Sequence, residues 1–246
     1  MLTEYVPLSM NPSDTIPEPL GHVVMLQSWC DLTFLHWRYP LEFVQRLVPP
    51  PLRVESFDGS AWVGITPFFL RGLRAKLLPA LPWISQFPET NCRTYVRAPD
   101  GHSGIWFFSL DAARILAVMG ARLTYGLPYA WSRMRVTKTV GQVTYESARR
   151  WPDSRSRTRI VVEPGDEINP EPLDVFHTAR FRLYSFVLGK LICAKVDHAP
   201  WPLRSARLVE AQQTLTEAAG LSQPLQAEMV RYSPGVDVRI GSPALV

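Results

Sequence analysis

Glu89, Asn91, Arg93 and Tyr95 stand at alternate positions of one short run. In an extended chain alternate side chains share a face, so a carboxyl, an amide, a guanidinium and a phenol project together. Such a face is either solvated or the polar lining of a cavity. Inside an apolar cavity Glu89 would hold its proton to a raised pH and could serve as a catalytic general acid or base. Arg38 closes an aromatic-rich run, LTFLHWRY. If buried it needs a partner, because an unpaired interior charge is costly. That partner is a ligand carboxylate or carbonyl, or a protein acid such as Glu89. Tyr125 and Tyr129 flank a Gly-Leu-Pro corner; Tyr129 either donates a hydrogen bond to a ligand or packs against its own strand. His177, Arg180 and Tyr184 share a face if their segment is helical. His198 precedes Ala-Pro-Trp-Pro and reads as a ligand contact, a base or a structural turn residue.

The elements that must position these groups centre on Gly104 to Met134. Ile105–Leu110 is a run of large apolar residues, suited to a buried strand. Asp111 reads as a helix cap rather than an acid. Ala112, Ile115, Leu116, Met119 and Leu123 then recur at three and four residue intervals, one apolar stripe with Gly120 on it and Arg114 and Arg122 off it. Gly126 is expected to stop that helix in a left-handed conformation, and Pro128 forbids its return. Tyr129 thus falls on a sharp helix-to-strand corner.

Along the rest of the chain, residues 1 to about 24 read as a loose Pro-rich arm. Hairpins are expected at Asp58-Gly59, Asp100-Gly101, Gly141 and Ser233-Pro234-Gly235. Arg71 to Glu89 is apolar and Pro-studded, and either lies over a pocket as a lid or fills a core gap. Leu173–Leu188 reads as helix, and Leu203–Ala218 is ambiguous between helix and strand. Many short strands around two or three helices predict an α+β fold with a largely antiparallel sheet curled into a barrel.

The chain has 246 residues and a formal charge of +4. Twenty-two of its 26 basic residues are arginines; the lysines are Lys76, Lys138, Lys190 and Lys195. The basic run Arg149 to Arg159, with Trp151 available for stacking, is one short patch, and a solvated loop accounts for it better than a nucleic-acid partner. Cys30, Cys92 and Cys193 are far apart in sequence and read as reduced thiols of a cytoplasmic protein. The N-terminus lacks the pattern of a signal peptide, and no apolar run is long enough for a membrane span. The sequence shows no metal-ligand spacing, phosphate loop, dinucleotide fingerprint or nucleophile elbow, so no cofactor and no metal are expected.

Seven blocks in order, DLTFLHWRYP, AWVGITPF, FPETNCRTYV, WFFSLDAARILAV, YGLPY, HAPWPL and YSPGVDV, resemble the YqjF-like family of uncharacterised bacterial proteins, from about Gln27 to Val238. More distantly, the family resembles acetoacetate decarboxylase. The resemblance implies residues 25–246 as a single mainly antiparallel β-barrel with flanking helices around an internal cavity. It implies pocket roles for Arg38 and Glu89. It places Tyr129 and Ala130 where the decarboxylase has two adjacent lysines, one forming a Schiff base with a pKa lowered by its neighbour, an enzyme that is itself a standard illustration of that effect. Neither residue has an amine, so the resemblance implies the scaffold without that chemistry. Of the four lysines, Lys195 is the best substitute.

The expectation is therefore a barrel whose interior binds a small carbonyl or carboxylate compound. Glu89 is its acid or base, and Arg38, Asn91, Arg93, Tyr129, Arg180 and His198 are its ligand-binding residues. The alternative is a non-catalytic module with a filled barrel and an exposed apolar patch. A small-molecule ligand, no nucleic acid, no membrane and a possible homo-oligomer are the partners expected.

Overall fold

A computed structural model of the chain describes residues 12–222 and 227–246. The first part of the expected arm, residues 1–11, lies outside the described residues. The rest of it is tied down, since buried Asp14 hydrogen-bonds the Ser103 amide at 3.1 Å and pairs with Arg182.

The described residues form strands β1 (Val23–Tyr39), β2 (Arg53–Val54), β3 (Ser56–Phe57), β4 (Ser60–Ala75), β5 (Phe87–Arg97), β6 (Ser103–Ala112), β7 (Tyr129–Thr139), β8 (Gln142–Trp151), β9 (Arg157–Glu167), β10 (Arg182–Val187), β11 (Lys190–His198), β12 (Arg204–Gln213), β13 (Met229–Gly241) and β14 (Ala244–Leu245). Between them lie helices α1 (Leu41–Gln45), α2 (Ile115–Tyr125), α3 (Pro172–Thr178) and α4 (Leu215–Ala218). The protein is thus mostly β. All the strands join one sheet, in the order β14-β11-β10-β6-β7-β8-β9-β12-β13-β1-β4-β5-β2 with β3 on β4. β11 also pairs with β13, and β5 with β6, so the path meets itself twice.

The sheet is mixed. β6 runs parallel to both β7 and β10, and the other pairings among the described residues are antiparallel. The β6–β7 pairing needs a crossover, and α2 supplies it. Strands β1, β4 and β5 are buried on both faces. Phe34, Phe68 and Tyr95 look into one core, and Leu35, Ile65 and Cys92 into another. The hairpins expected at Asp58-Gly59, Asp100-Gly101 and Gly141 form between β3 and β4, β5 and β6, and β7 and β8.

Four expectations are corrected. The apolar stripe of α2 faces outward: Ile115, Leu116, Met119 and Leu123 are exposed, and its buried residues are Val118 and Tyr125. Asp111 does not cap that helix, which begins four residues later with Arg114 at its N-cap. Asp111 is instead fully buried on β6, bonded to Arg149 at 2.6 Å and Ser132 at 2.7 Å. The helix expected over Leu173–Leu188 stops at Thr178 and gives way to β10, because Arg182–Val187 finds a ladder partner in β11. Finally, Ser233-Pro234-Gly235 is no hairpin but lies inside β13 against β1. A Cβ on Gly235 would stand 2.2 Å from the Trp29 carbonyl oxygen, so glycine is required by close approach of the two strands. The ambiguous Leu203–Ala218 resolves into β12 followed by α4.

Candidate active site: an apolar cavity with a polar wall

β5 carries Glu89, Asn91 and Arg93 on one face, with alternate residues roughly 7 Å apart along the strand. All three line a cavity of about 860 Å³. Its remaining wall is overwhelmingly apolar, including Phe34, Phe68, Leu70, Phe107, Leu127 and Trp201. The strand is extended because β4 and β6 flank it on both sides. The polar face is therefore removed from water by tertiary closure, the second of the two readings left open by the sequence.

Tyr129 reaches the same cavity from the corner after α2. Gly126 takes φ +61°, and its amide bonds the Arg122 carbonyl at 3.2 Å. The Pro128 carbonyl accepts from the Leu110 amide at 3.1 Å, and the Tyr129 carbonyl accepts from Arg122 at 2.6 Å. These bonds fix the backbone on each side of the phenol. The Tyr129 hydroxyl donates to both carboxyl oxygens of Glu89, each at 3.2 Å.

Glu89 is 4% exposed. Burial pushes its carboxyl up to about 8, against the opposing help of the Tyr129 hydrogen bond, and the Asp111 charge adds to the rise. At neutral pH this carboxyl keeps its proton and can donate it, a state unlike that of a surface glutamate. Burial also holds the Tyr129 phenol well above its usual range.

Arg93 is buried, and its guanidinium lies over Phe34 and Tyr95 at 5.5 and 5.8 Å. It donates to the His177 carbonyl at 3.2 Å, its Nε has no partner, and no carboxylate among the described residues pairs with it. Arg180 also borders the cavity. It is held by Glu55 at 2.5 Å and the Phe176 carbonyl at 2.7 Å, leaving one terminal nitrogen without a partner. The Asn91 Oδ1 and Thr66 hydroxyl are likewise buried, unpartnered and on the wall. His198 closes one side against Trp29, Phe181 and Trp201. Its Nδ1–H donates to the Ala199 carbonyl at 2.8 Å, and burial lowers its pKa.

Thus Glu89, Asn91, Arg93, Tyr129, Arg180 and His198 come together. Arg38 does not. It pairs with Glu228 at 2.8 Å and lies over Trp62, with its side chain 39% exposed, away from the cavity wall. His177, Arg180 and Tyr184 also fail to share a helix face, because α3 ends at Thr178. Tyr95 is not on the cavity wall but joins a fully buried cluster behind it, which Arg93 and Arg180 touch. His36 Nε2 and the Tyr95 hydroxyl are 2.6 Å apart, and His36 and His177 stack with ring centroids 3.9 Å apart. The sequence reading missed Thr66, Gln27 and Arg182 on the cavity wall. Thr66 carried a signal, as a polar residue inside an apolar strand; Arg182 and Gln27 carried none, because only the fold carries them there.

The bordering residues include no lysine among those described. Lys138 pairs with Asp31 and Lys195 with Glu18, each at 2.6 Å. The described residues hold no cluster of potential metal ligands, and no described helix is long and apolar enough to cross a membrane.

Comparison with known proteins gives consistent relationships. The family described as DUF2071, uncharacterized conserved protein, matches residues 26–237. The uncharacterized protein YqjF of Bacillus subtilis (strain 168) is 36% identical over 226 residues, covering 91% of this chain and 93% of that one. Among solved structures, the enduracididine biosynthesis enzyme MppR superposes with a TM-score of 0.66 at 14% identity, over 99% of this chain and 98% of that one. An acetoacetate decarboxylase does so with a TM-score of 0.65 at 11% identity, over 96% and 98%. At such identities the likeness is one of fold.

Proposed function

We propose that this chain, which belongs to the DUF2071 family of uncharacterized conserved proteins, binds a small carbonyl or carboxylate compound inside a closed, barrel-like sheet and does so without imine chemistry. The observation that carries this reading is Arg93. A buried guanidinium with no carboxylate partner is strongly unfavourable unless something supplies the opposite charge. Here it faces a cavity, and a ligand carboxylate matches its planar fork. Unpartnered atoms of Arg180, Asn91 and Thr66 on the same wall offer further hydrogen bonds.

Glu89 then has a defined part. A protonated carboxyl donates to a ligand carbonyl oxygen, and Tyr129 holds it in place. Proton transfer at that carbonyl is the chemistry this geometry supports, with Glu89 as the catalytic group. Schiff-base formation is disfavoured, since Tyr129 and Ala130 bear no amine and no bordering residue does. The MppR enzyme of similar fold is complexed with a condensation product of pyruvate, which agrees with a carbonyl and carboxylate ligand class. A cavity of about 860 Å³ speaks against the filled-interior alternative.

Native mass spectrometry of protein purified from its own host tests this directly, with an acidic small molecule expected in the wild-type protein and lost on denaturation. Borohydride treatment in the presence of oxo acids should leave no adduct. An adduct on any lysine, or a persistently empty interior across oxo acids and carboxylates, would refute the reading.

A further inference from the structure

The cavity is far larger than a two- or three-carbon acid requires. An apolar cavity of roughly 150 Å³ already accommodates a benzene ring, and this one is about 860 Å³, near the top of the range for drug-sized ligands. Most of its charged groups are gathered on the β5 wall and around Arg180, with Gln27, Arg74, Ser85 and Thr124 at other points, while the remainder is mainly aliphatic and aromatic. Water has few partners along such walls. Resting on the carboxylate reading above, we infer that the natural ligand is an amphiphile: an aliphatic carboxylate whose head meets Arg93 and Glu89 and whose hydrocarbon tail fills the apolar remainder.

The rim supports this. The segment between β4 and β5 and helix α2 border the cavity together, joined by the Arg114 Nε–H donating to the Trp83 carbonyl at 2.5 Å. α2 borders the cavity with small residues, half-buried Ala117 and Ala121 and, at the mouth, exposed Gly120 and Thr124, which leaves space where a tail would lie. Outside, the same two elements expose Leu77 (91%), Trp83 (82%) and Leu123 (76%), beside Leu78, Leu81, Leu116 and Met119. Leu78 and Leu81 are both exposed and part of the wall. These two leucines therefore carry apolar surface from solvent to the cavity wall, as entry of a hydrocarbon chain requires. Charge complements it. Residues 71–86 and 113–128 contain Arg71, Arg74, Lys76, Arg114 and Arg122 and no acidic residue. Such an entrance draws anions rather than amines.

Calorimetric titration with acetate, hexanoate and dodecanoate, below micellar concentrations, reads the inference out. Each buried methylene should tighten binding about fourfold, so dodecanoate should bind far more tightly than hexanoate. Dodecanol, with the same tail and no charge, should bind at least tenfold more weakly than dodecanoate. Ala117→Phe, which fills part of the tail space, should weaken dodecanoate more than tenfold while leaving hexanoate within twofold, with an unchanged melting temperature certifying the fold. Equal affinity along the series, equal binding of the alcohol, or equal loss of both acids in the variant would each overturn the amphiphile. Binding of short oxo acids with no gain from chain length would overturn it while sparing the function proposed above, whereas failure of every carboxylate and oxo acid would remove both.

Discussion

Replacing Glu89 with Gln should make this protein more stable at alkaline pH, and by an amount that the structure lets one work out. The Glu89 carboxyl is pushed up from 4.5 to about 8 in the folded chain. Between those values the unfolded chain releases a proton that the folded chain keeps. The native state binds more protons, so its stability falls as pH rises through this window and levels off above about 8. One pH unit of difference corresponds to about 1.4 kcal/mol, so the full loss is on the order of 5 kcal/mol. The amide of the Glu89→Gln variant cannot ionise and suffers no such loss. Urea unfolding of both proteins from about pH 5 to about pH 9 isolates the effect, because every other titrating group is common to the two and cancels in the difference. The variant should start near or slightly below the wild type at the acid end and gain on it steadily. At the alkaline end its melting temperature should be higher by about 10 to 20 °C for a chain of this size. A difference that stays constant with pH would mean that Glu89 is ionised and solvated in solution, and the acid role assigned to it would fall.

Asp111→Ala leaves Arg149 buried without its 2.6 Å partner, and should cost about 3–5 kcal/mol in urea unfolding; an apolar pair at both positions should recover most of that, and a loss below about 1 kcal/mol would contradict the buried ion pair. Two glycines should behave oppositely. Gly235→Ala meets the Trp29 carbonyl oxygen at 2.2 Å with φ at +132°, and should lower the urea midpoint by more than about 1 kcal/mol equivalent. Gly120→Ala, inside α2 with nothing within 4 Å of the new methyl, should raise stability by about 0.5–1 kcal/mol; a destabilised Gly120 variant would mean that the helix lies closer to its neighbours than it does here.

Much of the candidate site was legible because it obeys period two. Alternation along one strand placed Glu89, Asn91 and Arg93 on a common face, and a Gly-Leu-Pro corner aimed Tyr129, both being consequences of local backbone geometry. Turn chemistry likewise located three hairpins. What alternation leaves open is whether a polar face meets water or a cavity, and that depends on which distant strands come to cover it. Arg38 illustrates the limit. Its run looked buried, yet its partner is Glu228, 190 positions away in the sequence.

The outward stripe of α2 makes the same point in reverse. Its periodicity is real, but periodicity says only that apolar residues share a face, not that the face is covered. α2 buries Val118 and Tyr125 in the core, borders the cavity with small residues such as Ala117 and Ala121, and leaves Leu116, Met119 and Leu123 in solvent. The sequence by itself determined most of the strands before α3, though not β10 or β12, the shared face of Glu89, Asn91 and Arg93, the corner at Tyr129 and the absence of an amine there, because these depend on neighbours within a few residues. Only the tertiary structure decided that Glu89 is dehydrated, that Arg93 lacks a carboxylate partner among the described residues and that α2 borders a cavity. Desolvation and charge pairing depend on everything within several ångströms in space, and the chain assembles those surroundings from residues far apart along its length.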